Sequence, residues 1–184
     1  MWADRKVIVA VAGGVSCYKS ATLVSQLVQS NASVRVIMTE SATRFVGPLT
    51  FQSLSGQTVL TNIWQSDEHP ESQHIGLAQW CDIMIIAPAT ANMIAKLAMG
   101  LTDDVVSLTA SALPQTTPLL LAPAMNAEMW GNPILKRNLA TVQQIPTCHT
   151  IGPEEGWQAC RNSGPGRMSE PLTIVEAAIK LLII

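Results

Sequence analysis

Short and almost wholly apolar runs alternate along this chain with longer stretches that mix apolar and polar residues. Apolar runs without regular polar alternation are typical of strands that are buried on both faces. The pattern predicts strands at Val7–Ala12, Val34–Met38, Ile83–Ala87, Pro118–Ala122 and Ile145–Ile151. Such strands occur mostly in parallel sheets at the centre of a domain.

The stretches between the apolar runs have the spacing and the flanking residues of helices. Helices are predicted from Ser16 to about Ser30, and at Ser41–Val46, Pro48–Leu54, His74–Trp80, Asn92–Met99, Asp103–Ala112, Asn132–Gln143 and Thr173–Leu182. Strands separated by such helices form parallel sheets with right-handed crossovers. We therefore predict one α/β domain over residues 1–184, with a doubly wound, Rossmann-like (flavodoxin-like) parallel sheet and helices on both faces.

Glycine or small polar residues follow each of the first four predicted strands. They are Gly13-Gly14, Thr39, Pro88–Asn92 and Pro123–Asn126. In open α/β sheets the ligand binds beyond the carboxyl ends of the strands. These segments should therefore meet at one edge of the sheet and form a single binding site.

Composition narrows the partners that such a domain could have. The 184 residues are 48% hydrophobic and 13% charged, with a formal net charge of −2. That balance gives no electrostatic case for binding nucleic acid. No apolar run approaches the ~18 residues of a membrane-spanning helix, and no signal-peptide core is visible near the N-terminus. We expect a cytoplasmic protein that binds neither nucleic acid nor membranes.

Four cysteines occur, at positions 17, 81, 148 and 160, and their spacing fits no zinc site, so no metal is expected. Cys17 and Cys81 lie beside predicted strands and are expected to be small core residues. Cys148 is expected to end a strand. Cys160 differs because glycine, proline and polar residues surround it. We expect it in a flap near residues 153–168 that closes over a substrate.

Taken one at a time, the polar motifs have ordinary structural explanations. Gly13-Gly14 matches neither the dinucleotide fingerprint nor the phosphate loop of nucleotidases, so it could be only a tight turn. A lone histidine at the start of a helix, such as His74, is more often a cap or a surface residue. Met129 could fill the core. His69 and His149 have no motif around them and are expected at the surface or in loops.

Taken together, four motifs resemble those of one family. Pro123–Trp130 reads PAMNAEMW, Pro88–Asn92 reads PATAN, His74 opens the sequence HIGL, and Gly156–Met168 reads GWQACRNSGPGRM. Over nearly its whole length the chain resembles the flavin-containing cysteine decarboxylases.

The resemblance implies a flavin mononucleotide (FMN) cofactor and gives roles to the residues at matching positions. The implied catalytic residues are His74, as a base, and Cys160, as a proton donor. The implied substrate-binding residues are Asn126, Met129 and Ala159. The positions implied to contact FMN are Gly13, Gly14, Val15, Thr39, Ser41, Thr90, Ala91, Asn92 and Ala124.

The resemblance also implies a reaction, the decarboxylation of 4′-phosphopantothenoylcysteine to 4′-phosphopantetheine in coenzyme A synthesis. A cysteine carboxylate has no electron sink of its own, and transient oxidation by the flavin creates one. His74 would take the thiol proton of the substrate, and Cys160 would protonate the enethiol that remains after carbon dioxide departs. Asn126 would hold the carboxylate without the strong attraction of a cation.

The chain departs from the family pattern at Gly76, Gln79, Thr90, Met93 and Arg161, and two of these departures bear on the predicted site. Gln79 stands where many relatives carry a cation that is a candidate partner for the cofactor phosphate, so Lys19 or Arg44 is the expected substitute. Arg161 replaces the glycine that usually follows the reactive cysteine. If that position requires a positive φ, arginine would be strained there.

Assembly and partner activities are implied in the same way. The family forms trimers with the flavin between subunits, and bacterial members often assemble four trimers into a dodecamer, so self-association is expected. Many bacterial relatives continue into a phosphopantothenate–cysteine ligase domain. A fused or separate ligase is therefore an expected partner.

Three alternative functions share the fold. A decarboxylase that acts on the C-terminal cysteine of a peptide stops at the enethiol and lacks the reducing cysteine, so Cys160 disfavours it. A non-catalytic flavin-binding regulatory subunit typically carries a long acidic tail, which this sequence does not contain. A flavin prenyltransferase would not need the PAMNAEMW motif, and the missing dinucleotide fingerprint disfavours a nicotinamide dehydrogenase.

Overall fold

The centre of the molecule is a five-stranded parallel sheet. A computed structural model describes residues 2–64 and 73–183 of the chain. In chain order the strands are β1 (Lys6–Val11), β2 (Ser33–Met38), β3 (Ile83–Ala89), β4 (Leu119–Pro123) and β5 (Cys148–Thr150). Their spatial order is β2-β1-β3-β4-β5, and every pairing is parallel. This is the flavodoxin-like order, with a switch point between β1 and β3, and the predicted fold class is confirmed.

Helices cover both faces of the sheet. In chain order they are α1 (Cys17–Gln29), α2 (Glu40–Thr43), α3 (Pro48–Ser55), α4 (Gln73–Trp80), α5 (Ala91–Met99), α6 (Val105–Ser111), α7 (Ala127–Gly131), α8 (Pro133–Gln143) and α9 (Pro171–Leu181). Helices α1, α3 and α9 pack together on one face. Helices α4, α5, α6 and α8 pack on the other.

The residues of β1 show why the strands are apolar throughout. Val7, Val9 and Val11 belong to the core beneath α1, α3 and α9, whereas Ile8 and Ala10 belong to the core on the opposite face. Successive side chains of a strand point to opposite faces, so a strand between two helical layers needs an apolar residue at every position. All five side chains are fully buried.

The segment predicted as an irregular flap is a two-stranded antiparallel hairpin. Strand β6 (Glu154–Trp157) pairs with β7 (Ser163–Arg167), and the two strands form a sheet separate from the central one. The two strands were not predicted, because the glycine and proline content of this segment is typical of loops. A two-stranded ribbon consists only of edge strands, which tolerate a proline such as Pro165.

Strand β3 continues past the residue predicted to end it. Pro88 lies within β3, which runs to Ala89, and the register with β4 shifts between Ile86 and Ala89. A proline cannot donate to a regular ladder, but it is tolerated at such an irregularity. The short helix α7 was also missed, since the sequence was interpreted there only as a motif at a strand end.

The cysteines and histidines correct the sequence analysis at two positions, Cys148 and His149. Cys17 and Cys81 are buried as expected, but Cys148 begins β5 rather than ending a strand. His149 lies within β5 and is half-buried rather than in a loop. His69 lies outside the described residues. Among the described helices, none combines the length and the apolar character needed to cross a membrane.

Candidate active site

A cavity of about 1120 Å³ opens at the carboxyl edge of the central sheet. Its walls come from the turn between β1 and α1, the start of α2, the N-terminus of α5, the segment after β4 and the β6–β7 hairpin. The cavity is lined by thirteen of the predicted site residues: Gly13, Gly14, Val15, Thr39, Ser41, Thr90, Ala91, Asn92, Ala124, Asn126, Met129, Ala159 and Cys160. The structure therefore brings five separate segments of the chain into one site.

His74 is the predicted site residue that the cavity does not include. It lies in the first turn of α4, half-buried, and is absent from the cavity lining. Gln79 stands at the position where many relatives of the resembling family carry a cation. It is exposed on the same helix and also lies outside the cavity. Within one copy of the chain, the predicted base and the predicted proton donor are not in the same cavity.

The turn between β1 and α1 needs glycine for a steric reason. A Cβ atom on Gly13 would lie 2.4 Å from Cβ of Ser41, at the start of α2. A Cβ atom on Gly14 would lie 3.7 Å from Cγ2 of Thr90, an ordinary van der Waals distance. Gly13 thus allows the ends of β1 and β2 to approach and form one wall of the cavity.

We expect Gly13→Ala to lower the free energy of unfolding by about 1–3 kcal/mol, because the added methyl group must displace the backbone of α2. Gly14→Ala is the matched control and should change it by less than about 0.5 kcal/mol. Urea denaturation of both variants measures the difference. Equal losses in the two variants would show that the contact with Ser41 is not the reason for the glycine.

Predicted site residues provide the side-chain caps of three helices at the cavity. Thr39 Oγ1 accepts a hydrogen bond from the backbone N of Ala42 at 3.2 Å, and Thr90 Oγ1 accepts one from Met93 at 3.2 Å. Asn126 Oδ1 accepts a hydrogen bond from the backbone N of Met129 at 2.8 Å. Side-chain oxygens at this position satisfy amide groups that have no partner within the helix.

The cap also determines which atom of Asn126 can bind a ligand. Its oxygen is occupied by the helix, and its Nδ2 group makes no hydrogen bond to any residue in the described ranges. Asn126 lines the cavity. The atom that it can offer to a ligand is therefore a neutral donor, which suits a carboxylate oxygen.

The N-terminus of α1 differs from the three capped helices. Ser16 precedes α1 but makes no side-chain cap hydrogen bond, and Gly14, Val15 and Ser16 all line the cavity. The backbone N–H groups of a helix N-terminus attract anions. This end of the cavity is suited to a phosphate group.

A cluster of charged residues that sequence reasoning largely missed lies beside that N-terminus. Lys19 Nζ donates to the carbonyl of Met168 at 3.0 Å and to Oε1 of Glu170 at 2.9 Å. Arg167 also pairs with Glu170. The hydrogen bond from Lys19, with a further one from Arg167, holds the pKa of Glu170 below its usual value. Lys19 and Arg167 thus share the carboxylate of Glu170, and all three residues line the cavity.

Of the two cations predicted to replace the one missing at Gln79, Lys19 lines the cavity and Arg44 does not. Lys19 lines the cavity and is buried, whereas Arg44 is exposed and does not line it. Sequence offered no signal for the Lys19–Glu170 pair, because 151 positions separate the two residues. Another unpredicted ion pair, Lys96 with Asp103 and Asp104, lines the cavity near α5 and α6.

The hairpin holds Cys160 at the mouth of the cavity. Cys160 and Ala159 are exposed at the turn between β6 and β7, and both line the cavity. The turn is closed by hydrogen bonds from Gln158 N to Asn162 O and from Arg161 N to Gln158 O, both 2.9 Å long. The thiol is therefore held on a defined turn.

The backbone of Arg161 lies in the left-handed region, with the positive φ that the sequence analysis considered for this position. Its φ is 63°, in a turn where relatives of the resembling family carry glycine. A residue with a Cβ atom loses about 1–2 kcal/mol in this conformation, and glycine does not. The turn in this chain has the backbone conformation that favours glycine, and Arg161 adopts it at an energetic cost.

We expect Arg161→Gly to stabilise the hairpin by about 0.5–1 kcal/mol, because relief of strain exceeds the entropy that glycine loses on folding. Hydrogen exchange of the Gln158 amide, whose N–H bonds to Asn162, should slow by about two- to fivefold. Asn162→Gly is the control, since Asn162 has no positive φ and should gain only flexibility. Slower exchange in the control, or faster exchange in Arg161→Gly, would contradict this explanation.

Comparison with known proteins gives consistent results. A family profile described as Flavoprotein matches residues 2–183. The chain is 48% identical over 177 residues to the coenzyme A biosynthesis bifunctional protein CoaBC of Bacillus subtilis, covering 96% of this chain and 43% of that protein. It is 43% identical over 182 residues to CoaBC of Mycolicibacterium smegmatis, and the match covers 99% of this chain and 43% of that protein. The chain thus spans less than half the length of these curated relatives.

Solved structures agree over the whole chain. A cysteine-to-serine mutant of PPC decarboxylase, complexed with pantothenoylaminoethenethiol, superposes with a TM-score of 0.85 at 30% identity and covers 98% of each chain. The FMN binding protein AtHal3 superposes with a TM-score of 0.81 at 31% identity, over 97% of this chain and 96% of that one. The FMN-dependent cysteine decarboxylase SpaF superposes with a TM-score of 0.84 at 25% identity, over 100% of this chain and 100% of that one.

Proposed function

The chain belongs to the Flavoprotein family, and we propose that it decarboxylates 4′-phosphopantothenoylcysteine to 4′-phosphopantetheine with FMN as its cofactor. One observation supports this function above the others. A single cavity at the carboxyl edge of the sheet is lined by Asn126, Met129 and Cys160 together with the β1–α1 turn. The relatives named as coenzyme A biosynthesis proteins and as PPC decarboxylase support the same reaction.

The residues of the cavity fit FMN. The uncapped N-terminus of α1 and the buried Lys19 are suited to the phosphate. Gly13 and Gly14 allow the backbone to approach the cofactor closely. The small side chain of Ala91 and the polar one of Thr90 line the cavity where a flat ring needs space and hydrogen bonds. A volume of about 1120 Å³ exceeds that of most pockets for one small ligand, so cofactor and substrate can share it.

FMN, when bound, supplies a reversible hydride acceptor, which is what the decarboxylation of an amino acid without an electron sink requires. The chain itself binds and orients the substrate. Asn126 Nδ2 would donate to the substrate carboxylate, and a neutral donor avoids over-stabilising a group that must leave as carbon dioxide. Cys160 Sγ would donate a proton to the enethiol carbon during its reduction. The hairpin would cover the substrate and exclude water from this step.

His74 does not line this cavity in a single chain, which favours its supply by another copy of the chain. We therefore include in the proposal a homo-oligomer, a trimer or a dodecamer, in which α4 of one subunit completes the cavity of the next. In that position His74 would accept the substrate thiol proton. The relatives are bifunctional, and the chain covers 43% of each, so we place the phosphopantothenate–cysteine ligase on a fused or separate partner.

Mixed oligomers test this sharing of the site. His74→Ala and Cys160→Ser chains, each unable to form saturated product alone, should recover about one quarter of the parent activity when co-assembled, since random pairing restores both residues in that share of sites. The measurement is 4′-phosphopantetheine formed by co-expressed and co-purified chains. Mixing the separately purified homo-oligomers without exchange is the control. No recovery in true hetero-oligomers would place His74 and Cys160 in one subunit's site, and parent-like activity of the His74→Ala chain alone would remove His74 from the reaction.

The proposed function is tested by reconstitution with FMN and substrate. We expect a yellow protein that converts 4′-phosphopantothenoylcysteine to carbon dioxide and 4′-phosphopantetheine, as followed by mass spectrometry. A peptide with a C-terminal cysteine should not react. Reaction with the peptide alone would assign the chain to the peptide decarboxylases, and inertness of FMN-loaded protein towards both would exclude a cysteine decarboxylase.

A further inference from the structure

Gln158 is a buried amide inside the β6–β7 hairpin, two residues before the reactive cysteine. Its side chain makes four hydrogen bonds. Nε2 donates to the carbonyls of Gly164 at 3.2 Å and Pro165 at 2.8 Å, across the hairpin. Oε1 accepts from the backbone N of Ala127 at 3.1 Å and from Sγ of Cys160 at 3.5 Å. Only 7% of this polar residue is exposed.

The orientation of the amide follows from its partners. Two carbonyl oxygens on one side require a donor, whereas a backbone N–H and a thiol on the other side require an acceptor. A flipped amide would place like groups together on both sides. Gln158 thus joins β7, the cysteine turn and the N-terminus of α7 through one planar group.

The contact with Ala127 is informative because Ala127 directly follows Asn126. The first N–H groups of a helix have no partner within it, and the Asn126 cap satisfies that of Met129. Gln158 satisfies the N–H of Ala127. The Gln158 side chain therefore contacts Ala127, which follows the residue proposed to bind the substrate carboxylate. It also contacts the thiol of Cys160, the proposed proton donor.

A second contact holds the base of the hairpin independently. Met125 N donates to Gly166 O at 2.9 Å, and a Cβ atom on Gly166 would lie 2.2 Å from Met125 O. This backbone bond does not involve Gln158. Loss of the Gln158 amide should consequently free the turn that bears Cys160 while the base of the hairpin stays attached.

We propose that Gln158 is a positioning residue that fastens the hairpin to the N-terminus of α7 and holds the Cys160 thiol over the cavity. The single amide of Gln158 thereby links attachment of the hairpin at Ala127 to placement of the proton donor. The effect on product rests on the proposed decarboxylase function, whereas the contact with Ala127 does not.

The test uses the FMN-loaded 184-residue chain and the variant Gln158→Leu, which replaces the amide by an apolar side chain of similar size. The Ala127 amide should exchange with solvent about tenfold faster, as expected for loss of one hydrogen bond, while the Met125 amide keeps its protection. With substrate, carbon dioxide release should stay within about twofold, and the fraction released as enethiol should rise towards that of Cys160→Ser. Asn162→Ala, at the exposed tip of the same turn, should change none of these quantities.

Gln158→Glu provides a rescue that a merely structural role would not produce. A protonated carboxyl both donates and accepts, as the amide does, whereas a carboxylate would face the carbonyls of Gly164 and Pro165 without a proton to donate. The variant should therefore approach parent-like product ratios as the pH falls. Gln158→Leu should show no such recovery.

Each result supports or overturns the proposal. Unchanged exchange at Ala127 overturns the fastening role, and faster exchange with an unchanged product ratio overturns the positioning role. Loss of protection at both Ala127 and Met125 would mean that the hairpin has unfolded, which also overturns it. If the parent protein releases no carbon dioxide, the decarboxylase function fails, and the Ala127 result still decides whether Gln158 fastens the hairpin.

Discussion

Replacing Cys160 by serine should leave carbon dioxide release nearly intact and lower the yield of saturated 4′-phosphopantetheine by about 10²- to 10⁴-fold, the usual effect of losing a positioned acid. Serine has nearly the same size and preserves the turn, but its hydroxyl is a much weaker acid than a thiol. The enethiol would then be released or remain bound. The PPC decarboxylase mutant with the same type of exchange was solved in complex with pantothenoylaminoethenethiol, which supports this expectation.

Product masses, measured together with carbon dioxide, separate the two half-reactions. Cys148→Ala is the control, because Cys148 is buried in β5, where burial raises the pKa of its thiol to about 11, and it does not line the cavity. The control should keep the parent product ratio. Equal yields of saturated product from the parent and Cys160→Ser would remove Cys160 from the mechanism.

Replacing Asn126 by aspartate should lower kcat/KM by about 10²- to 10⁴-fold without unfolding α7. Aspartate caps a helix as well as asparagine does, so the hydrogen bond from Met129 is kept. The new carboxylate, however, would face the carboxylate of the substrate, and like charges brought together without solvent cost several kcal/mol.

Asn132→Asp is a matched control for this variant. Asn132 caps α8, with its Oδ1 accepting from Ile134 N at 2.8 Å, and it lies outside the cavity. Steady-state kinetics should show no loss for Asn132→Asp, and both variants should keep the parent denaturation midpoint. Unchanged kcat/KM in Asn126→Asp would show that this residue does not hold the carboxylate.

The central sheet could be predicted because its physical requirement is visible in sequence. A strand such as β1 needs apolar side chains on both faces, and the run from Val7 to Val11 meets that need. The position of the cavity followed from the general rule for the carboxyl ends of parallel strands. The turn glycines and the residues after β3 and β4 all line it, as that rule requires.

The parts that could not be predicted depend on contacts between distant residues. Glycine and proline content suggested a loop at residues 156–168, whereas the hairpin is held partly by the amide of Gln158. Lys19 reaches Glu170 only because α1 packs against α9. The position of His74 relative to Cys160 was inferred from family resemblance, and no sequence pattern shows whether two residues share one subunit's cavity.

The dependence of carbon–carbon bond cleavage on the flavin is the central claim, and one measurement tests it directly. Carbon dioxide release from 4′-phosphopantothenoylcysteine is followed with the FMN-loaded chain, with the same protein after FMN removal, and after FMN is restored. We expect release to fall to background on removal and to return on restoration. Undiminished carbon dioxide release from the flavin-free protein would contradict the account.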